Sequence, residues 1–241
     1  MIMNELIKET VVCHIKKHFP LIVTRYHSIK LLWENTKNRK RSKESIFLEI
    51  YRKNLWSNKE SYSGPGSDLE HTVVIRKRLP ALIKDFRVSS ILDIPCGDFH
   101  WMKEVELSNA SYIGADIVND IIARNAQLFS NERRTFIQLD ITCDALPKVD
   151  LILCRDLFVH FPNDVIARAL NKIKESRSGY LLTTSHSLVT QNCDISTGGF
   201  RPINLLLPPF CFPSPIMVIY EDMVGKIDTG RNLSLWKVSD L

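Results

Sequence analysis

The chain of 241 residues predicts an α/β fold, a mostly parallel sheet of seven strands with helices on both faces, preceded by an N-terminal helical extension. Three observations carry that expectation. From Val88 onward short apolar runs alternate with amphipathic stretches, and strands separated by helices pair in parallel through right-handed crossovers. Runs such as Leu151-Ile152-Leu153 are apolar at successive positions, as a sheet covered on both faces requires. Three runs end in an acidic residue, at Asp93, Asp116 and Asp140, which puts carboxylates along one edge of the sheet.

The elements follow in order. Residues 3–19 set Leu6, Ile7, Val11, Val12, Ile15 and Phe19 at helical spacing. Residues 37–43 hold five Lys or Arg, a solvated linker by the plain reading and a membrane-surface or partner-binding segment by the other. Ile46, Phe47, Ile50, Tyr51 and Leu55 predict a short helix ending near Trp56, so residues 1–60 form a helical extension with a basic linker. The Gly64-Pro65-Gly66 centre of the next segment must turn. Ser67 or Asp68 then caps a helix over 69–79, which Pro80 interrupts before a further turn reaches Phe86. Strands are expected at 90–95, 111–116, 135–140, 149–155 and 179–185, with helices at 118–130 and 163–176 and a short one near 99–106. Residues 186–215 break the rhythm. Their prolines among Phe200, Phe210 and Phe212 mark a functional loop, expected to serve the substrate of a domain spanning 61–241. Strands at 216–220 and 233–238 complete a Rossmann-like sheet, the last one antiparallel.

Composition narrows the function. With 44% hydrophobic and 24% charged residues the chain is ordinary for a globular domain. Its six cysteines form no CxxC pair, which argues against zinc and a disulfide framework and for a reducing compartment. No run approaches the roughly 18–20 apolar residues of a membrane span. The first twenty residues mix Glu5, Lys8, Glu9, Lys16 and Lys17 among the apolar ones, so no signal-peptide core is read there and a cytoplasmic location is expected. Residues 1–44 carry ten Lys/Arg against four Asp/Glu; the other 197 carry 22 against 23. Attraction to a nucleic acid or an anionic membrane would therefore come from the arm, and the core lacks the basic face of a phosphate-backbone binder.

Chemistry gathers at the strand ends, where open α/β sheets bind ligands. Asp93 closes the first core strand, and Pro95-Cys96-Gly97-Asp98 turns after it. Gly97 can take a positive φ and presents no Cβ to a cofactor. Asp116, with Ile117 beside it, lies 23 residues after Asp93, near the spacing at which a carboxylate meets ribose hydroxyls. Asp140 can accept from an adenine amino group while Ile141 packs on the ring. Together these describe a nucleoside-type cofactor site, and S-adenosyl-L-methionine is the cofactor expected. The single glycine lacks the second phosphate-cradling position, which disfavours a dinucleotide and a nicotinamide oxidoreductase. The fourth strand ends in Cys154-Arg155-Asp156, followed by His160, and the fifth in His186. Asp156 and His160 are one helical turn apart. Both histidines are candidates to take a proton from an acceptor hydroxyl. Arg155 either pairs with Asp156 or grips an anionic group.

Asp93 through Phe99 resembles the first motif of class I S-adenosylmethionine-dependent methyltransferases, with Asp116 and Asp140 at the acidic positions of the next two strands. The finer pattern is similar to one branch of those enzymes, marked by its Pro-Cys-Gly-Asp-Phe first motif. It comprises Pro95 through Met102, the upstream Ser63-Gly64-Pro65-Gly66-Ser67, and Cys154 through Phe161. The similarity covers about residues 46–241 and departs from the wider class in its glycines, reduced to Gly97 with Pro95 and Phe99 at the flanking sites. It implies that Trp56, Ser63 and Gly64 fold over the cofactor. The activity it implies is O-methylation of a small-molecule or glycan-type acceptor. Two other readings stand beside it: a protein or nucleic-acid methyltransferase guided by the basic arm, and a catalytically silent cofactor-binding module.

Overall fold

A computed structural model describes residues 41–221 and 229–241. The amphipathic stretch expected at 3–19 and most of the basic linker lie outside the described residues. The chain divides into two compact units, Met1–Arg41 and Ser42–Leu241; the second is the one described below. Helix α1 (Lys43–Arg52) lies in this second unit. The Ser42 hydroxyl caps α1 by accepting from the Ser45 N–H at 3.1 Å. Ile46 and Ile50 are buried, and Phe47 packs against Phe161.

Helix α2 (Val73–Asp85) corrects the expectation for 69–86. It starts after Thr72 and runs through Pro80 without a break. Asp68 is engaged by the Asn58 side-chain amide, and Ser67 is buried in a 3₁₀ turn over Pro65–Ser67. Pro80 forfeits one backbone bond, to the carbonyl of Arg76. Ile75, Leu79, Leu82 and Ile83 are all buried on one face, and that burial holds the helix together across the gap.

The sheet has seven strands: β1 (Ser90–Asp93), β2 (Ser111–Asp116), β3 (Arg134–Gln138), β4 (Leu151–Cys154), β5 (Tyr180–His186), β6 (Met217–Tyr220) and β7 (Arg231–Lys237). Their order is β3-β2-β1-β4-β5-β7-β6. β1 to β5 pair in parallel, and β7 runs antiparallel to both its neighbours. Helices α3 (Asn119–Phe129) and α4 (Asn163–Ser176) are among the crossovers, while the short helix expected near 99–106 is only a 3₁₀ turn at Met102–Glu104. Successive strand residues feed opposite layers. Ile91, Leu151 and Leu153 enter one apolar cluster; Leu92, Ile152 and Cys154 enter the other. Strand order reverses between β1 and β4, so the gap beyond their carboxyl ends is the switch point where such sheets take ligands.

The Pro/Phe loop is packed and not open. Ile203 and Leu205 are fully buried, and Phe212 meets Trp236 edge-on with ring centres 5.2 Å apart. Asn192 donates to the carbonyls of Asn204 and Pro208 at 2.9 Å each. Among the described residues no helix is long and apolar enough to cross a membrane, and the five described cysteines are all free.

Candidate active site

At the switch point a cleft encloses about 1020 Å³, including its open mouth. Of the residues expected to bind a cofactor, the structure brings Trp56, Ser63, Asp93, Pro95, Cys96, Gly97, Asp98, Asp116, Ile117, Asp140, Ile141 and Arg155 to its walls. Gly64 does not line it. With φ +91° it lies against Trp56, whose Cβ would stand 3.3 Å from a Cβ added there. Helix α1 adds Phe47 and Tyr51, which nothing in the chain's spacing tied to the strand ends.

The carboxylates differ in how they are held. Asp93 is buried and accepts from the Tyr112 hydroxyl at 2.6 Å; burial outweighs that bond and pushes its carboxyl up to about 7. Asp116 accepts from the backbone N–H of Gly97 at 3.2 Å and of Val118 at 3.0 Å, so it fastens the glycine turn to the end of β2. Burial again dominates and raises it to about 6. Asp140 takes the Thr142 N–H and hydroxyl on one oxygen and Lys43 Nζ, 3.1 Å away, on the other. Burial raises its pKa, but those partners outweigh it and leave the carboxyl below its ordinary value. α1 is thus tied to the rim beside Asp140.

Gly97 takes the positive φ expected of it, but the atom nearest a Cβ there belongs to the protein. Its φ is +52°, and a Cβ there would collide with the Ser63 hydroxyl, a protein atom. The Asp98 carboxylate accepts from Ser61 Oγ at 2.9 Å, the Tyr62 N–H at 2.8 Å and Ser63 Oγ at 3.2 Å. Ser63 Oγ in turn accepts from the Asp98 N–H at 3.0 Å. Asp98 therefore holds residues 61–63 down on the turn. Phe99, which flanks the turn, has φ +59°, with its ring buried against Tyr112, Phe129 and Phe136. Gly97→Ala should lower stability by about 2 kcal/mol, and Tm by about 4–8 °C, from the left-handed backbone and the clash together. Thermal unfolding checks this, and Ser63→Ala on top should recover part of the loss.

Arg155 is engaged by protein partners on every side of its guanidinium. Its buried guanidinium donates through Nε and Nη2 to Glu221 Oε1, at 3.0 and 2.8 Å, and through Nη2 to the Gly66 carbonyl at 2.8 Å. Nη1 lies 3.3 Å from Asp156 Oδ2, which Arg231 Nη2 meets at 2.6 Å. The Thr184 hydroxyl donates to Asp156 Oδ1 at 3.1 Å. Burial works to raise the Asp156 pKa, but the two guanidinium groups prevail and hold the carboxyl far below the ordinary range. Glu221, Arg231 and Ser61 were not read from the sequence, where each is an ordinary residue with no motif around it.

His160 lies in the cleft wall at the end of a 3₁₀ turn, Phe158–His160. Asp156 has φ +57°, so the two are not placed by the α-helical turn the spacing suggested. A carbonyl can only accept, so the 2.7 Å contact of His160 Nδ1 with the Gly199 oxygen puts the proton on Nδ1 and leaves a lone pair on Nε2. Burial lowers the imidazole pKa, while Gly199 and Asp156 partly oppose it. Trp56 stacks on the ring at 4.9 Å and 25°, and Phe200 lies 5.8 Å away. His186 is a correction. The structure does not bring it into the cleft, because the chain returns over the end of β5: the His186 N–H donates to Ile203 O at 2.7 Å, and its Nδ1 accepts from the Ile203 N–H at 3.2 Å. Burial pushes that imidazole down to about 4. The 186–215 loop likewise lines no part of the cleft; it meets the cleft wall at His160, through Gly198, Gly199 and Phe200. Among the described residues no group of His, Cys, Asp or Glu could hold a metal.

No protein-family model matches this chain, and no curated protein sequence matches it. Solved structures do. Magnesium protoporphyrin IX methyltransferase from Synechocystis PCC 6803, solved with bound SAH, superposes with a TM-score of 0.54 at 12% identity, over 80% of this chain and 94% of that one. The pyocyanin biosynthetic protein PhzM gives 0.53 at 13% identity, over 69% of this chain and 55% of its own. This chain thus spans little more than half of PhzM. The methyltransferase domain of bacterial CtHen1-CN gives 0.50 at 9% identity, over 69% and 99%. The likeness establishes the fold: a Rossmann-like sheet shared with methyltransferase structures.

Proposed function

We propose that this protein is an S-adenosyl-L-methionine-dependent methyltransferase acting on a hydroxyl of a small-molecule or glycan-type acceptor. The observation that carries the reading is a pair of buried carboxyls, Asp93 and Asp116, at the switch point beside a histidine with a free Nε2. Both are pushed up by burial, so a ligand that brings hydroxyl donors or positive charge restores what desolvation took from them. S-adenosylmethionine has that complement. Asp116 would accept from its ribose hydroxyls, Asp140 and Ile141 would face its adenine, and Asp93 with the Gly97 turn would hold its amino-acid end. When bound, its sulfonium supplies a methyl group activated for in-line displacement.

The protein's own task is then positioning, water exclusion and one proton. His160 Nε2 accepts the proton of the acceptor hydroxyl while Gly199 keeps the ring in the right tautomer. Trp56 fixes the plane of that ring. Calorimetry with S-adenosylmethionine tests the cofactor assignment. Binding should be measurable in the native protein and weakened about 30–100-fold in Asp116→Ala, the worth of one or two hydrogen bonds to a charged acceptor. No heat with the native protein, or an unchanged Kd in the variant, would sink the assignment.

A further inference from the structure

The proposed function leaves the acceptor's chemistry open, and the inference here rests on that function. Arg155 is the only Lys or Arg among the described residues lining the cleft, and it is committed. Glu221 takes two of its hydrogen bonds, the Gly66 carbonyl another and Asp156 a fourth contact, while its face lies over the Trp101 ring at 5.5 Å. Five carboxyl groups line the same cleft. A phosphate or carboxylate on the acceptor would meet like charge and no uncommitted cation.

Phe200 offers the complementary contact. It is 67% exposed, although its ring stands 5.8 Å from that of His160. The backbone on either side of it is anchored. The Gly199 carbonyl holds His160 Nδ1, and the buried Arg201 donates to Phe158 O at 2.7 Å, Cys193 O at 2.9 Å and Asn163 Oδ1 at 3.0 Å. An aromatic ring held out to solvent on a fixed backbone, beside a lone pair that can take a hydroxyl proton, is a stacking surface for a ring carrying that hydroxyl. We infer that Phe200 is the acceptor-stacking residue and that the acceptor is an uncharged, ring-bearing alcohol.

A matched pair of probes tests this on the full-length protein saturated with S-adenosylhomocysteine. 4-Nitrophenyl β-D-glucopyranoside and its 6-phosphate share both rings and differ by one phosphate, and calorimetry reads both. The glucoside should bind at least tenfold more tightly than the phosphate. Phe200→Ala should weaken the glucoside fivefold or more, Phe200→Trp should retain it, and S-adenosylhomocysteine affinity should stay within twofold in both variants. Equal or tighter phosphate binding, no glucoside binding, or a glucoside affinity indifferent to Phe200→Ala overturns the inference. The first titration separates the two layers. If S-adenosylhomocysteine itself fails to bind, the methyltransferase reading falls; if it binds and the probes do not discriminate, the stacking residue alone falls.

Discussion

Replacing His160 with alanine should lower turnover by about 10²–10⁴-fold, the usual worth of a positioned general base, with cofactor affinity nearly unchanged. The separation of the two effects is the point of the experiment. His160 bonds to the Gly199 carbonyl and stacks on Trp56, and neither contact is one of the strand-end carboxylates assigned to the cofactor. A large loss of affinity would make it a structural residue. The pH profile supplies an independent check. Burial holds the imidazole below its ordinary value of 6.5, and the base acts when neutral. The rate should therefore rise with pH through that lowered value and be flat at neutrality. With S-adenosylmethionine saturating, so that the titration of Asp93 and Asp116 in the free protein is not what is read, a limb still climbing above pH 7 would point to a different base.

Glu221→Ala should cost about 3–5 kcal/mol of stability, because it leaves the buried Arg155 guanidinium without its main counter-charge. Glu221→Gln keeps the accepting oxygen and should cost less. Pairing Glu221→Ala with Arg155→Met removes the stranded charge and should recover much of the loss, so the coupling emerges from a double-mutant cycle. Urea midpoints measure the four members of the cycle and Glu221→Gln alike; a cost under 1 kcal/mol for Glu221→Ala would mean that Asp156 and Gly66 suffice for Arg155.

Local patterns were readable because local physics decides them. The strands came from apolar runs, and the cleft from Asp93, Asp116 and Asp140, since a strand's closing residue and the turn beyond it lie close in sequence. Where the outcome depends on partners far along the chain, the reading went astray. Pro80 looked like a helix end, yet four buried side chains carry α2 through it. Gly97 has the positive φ expected of it, but Ser63, 34 positions earlier, fills the space beside it that was reserved for a ligand. His186 occupies an active strand end but is turned to the returning 201–205 segment, which no spacing rule anticipates. Ser61 and Glu221 have no signature at all: each is an ordinary residue made important by one distant carboxylate or guanidinium.

The antiparallel course of β7 has a consequence for how this edge of the sheet is furnished. In the parallel strands only a closing residue can stand at the ligand edge. A reversed strand presents its opening residue there, and that is how Arg231 reaches Asp156 across 75 positions of sequence. β6 runs the same way as β5, so the chain leaves it at that edge too, where Glu221 follows Tyr220. The terminal hairpin is thus an electrical return path, delivering one negative and one positive group to a pair of charges made much earlier in the chain. A truncation after β5 would keep every carboxylate assigned to the cofactor and still strand Arg155 and Asp156 without their outer counter-ions.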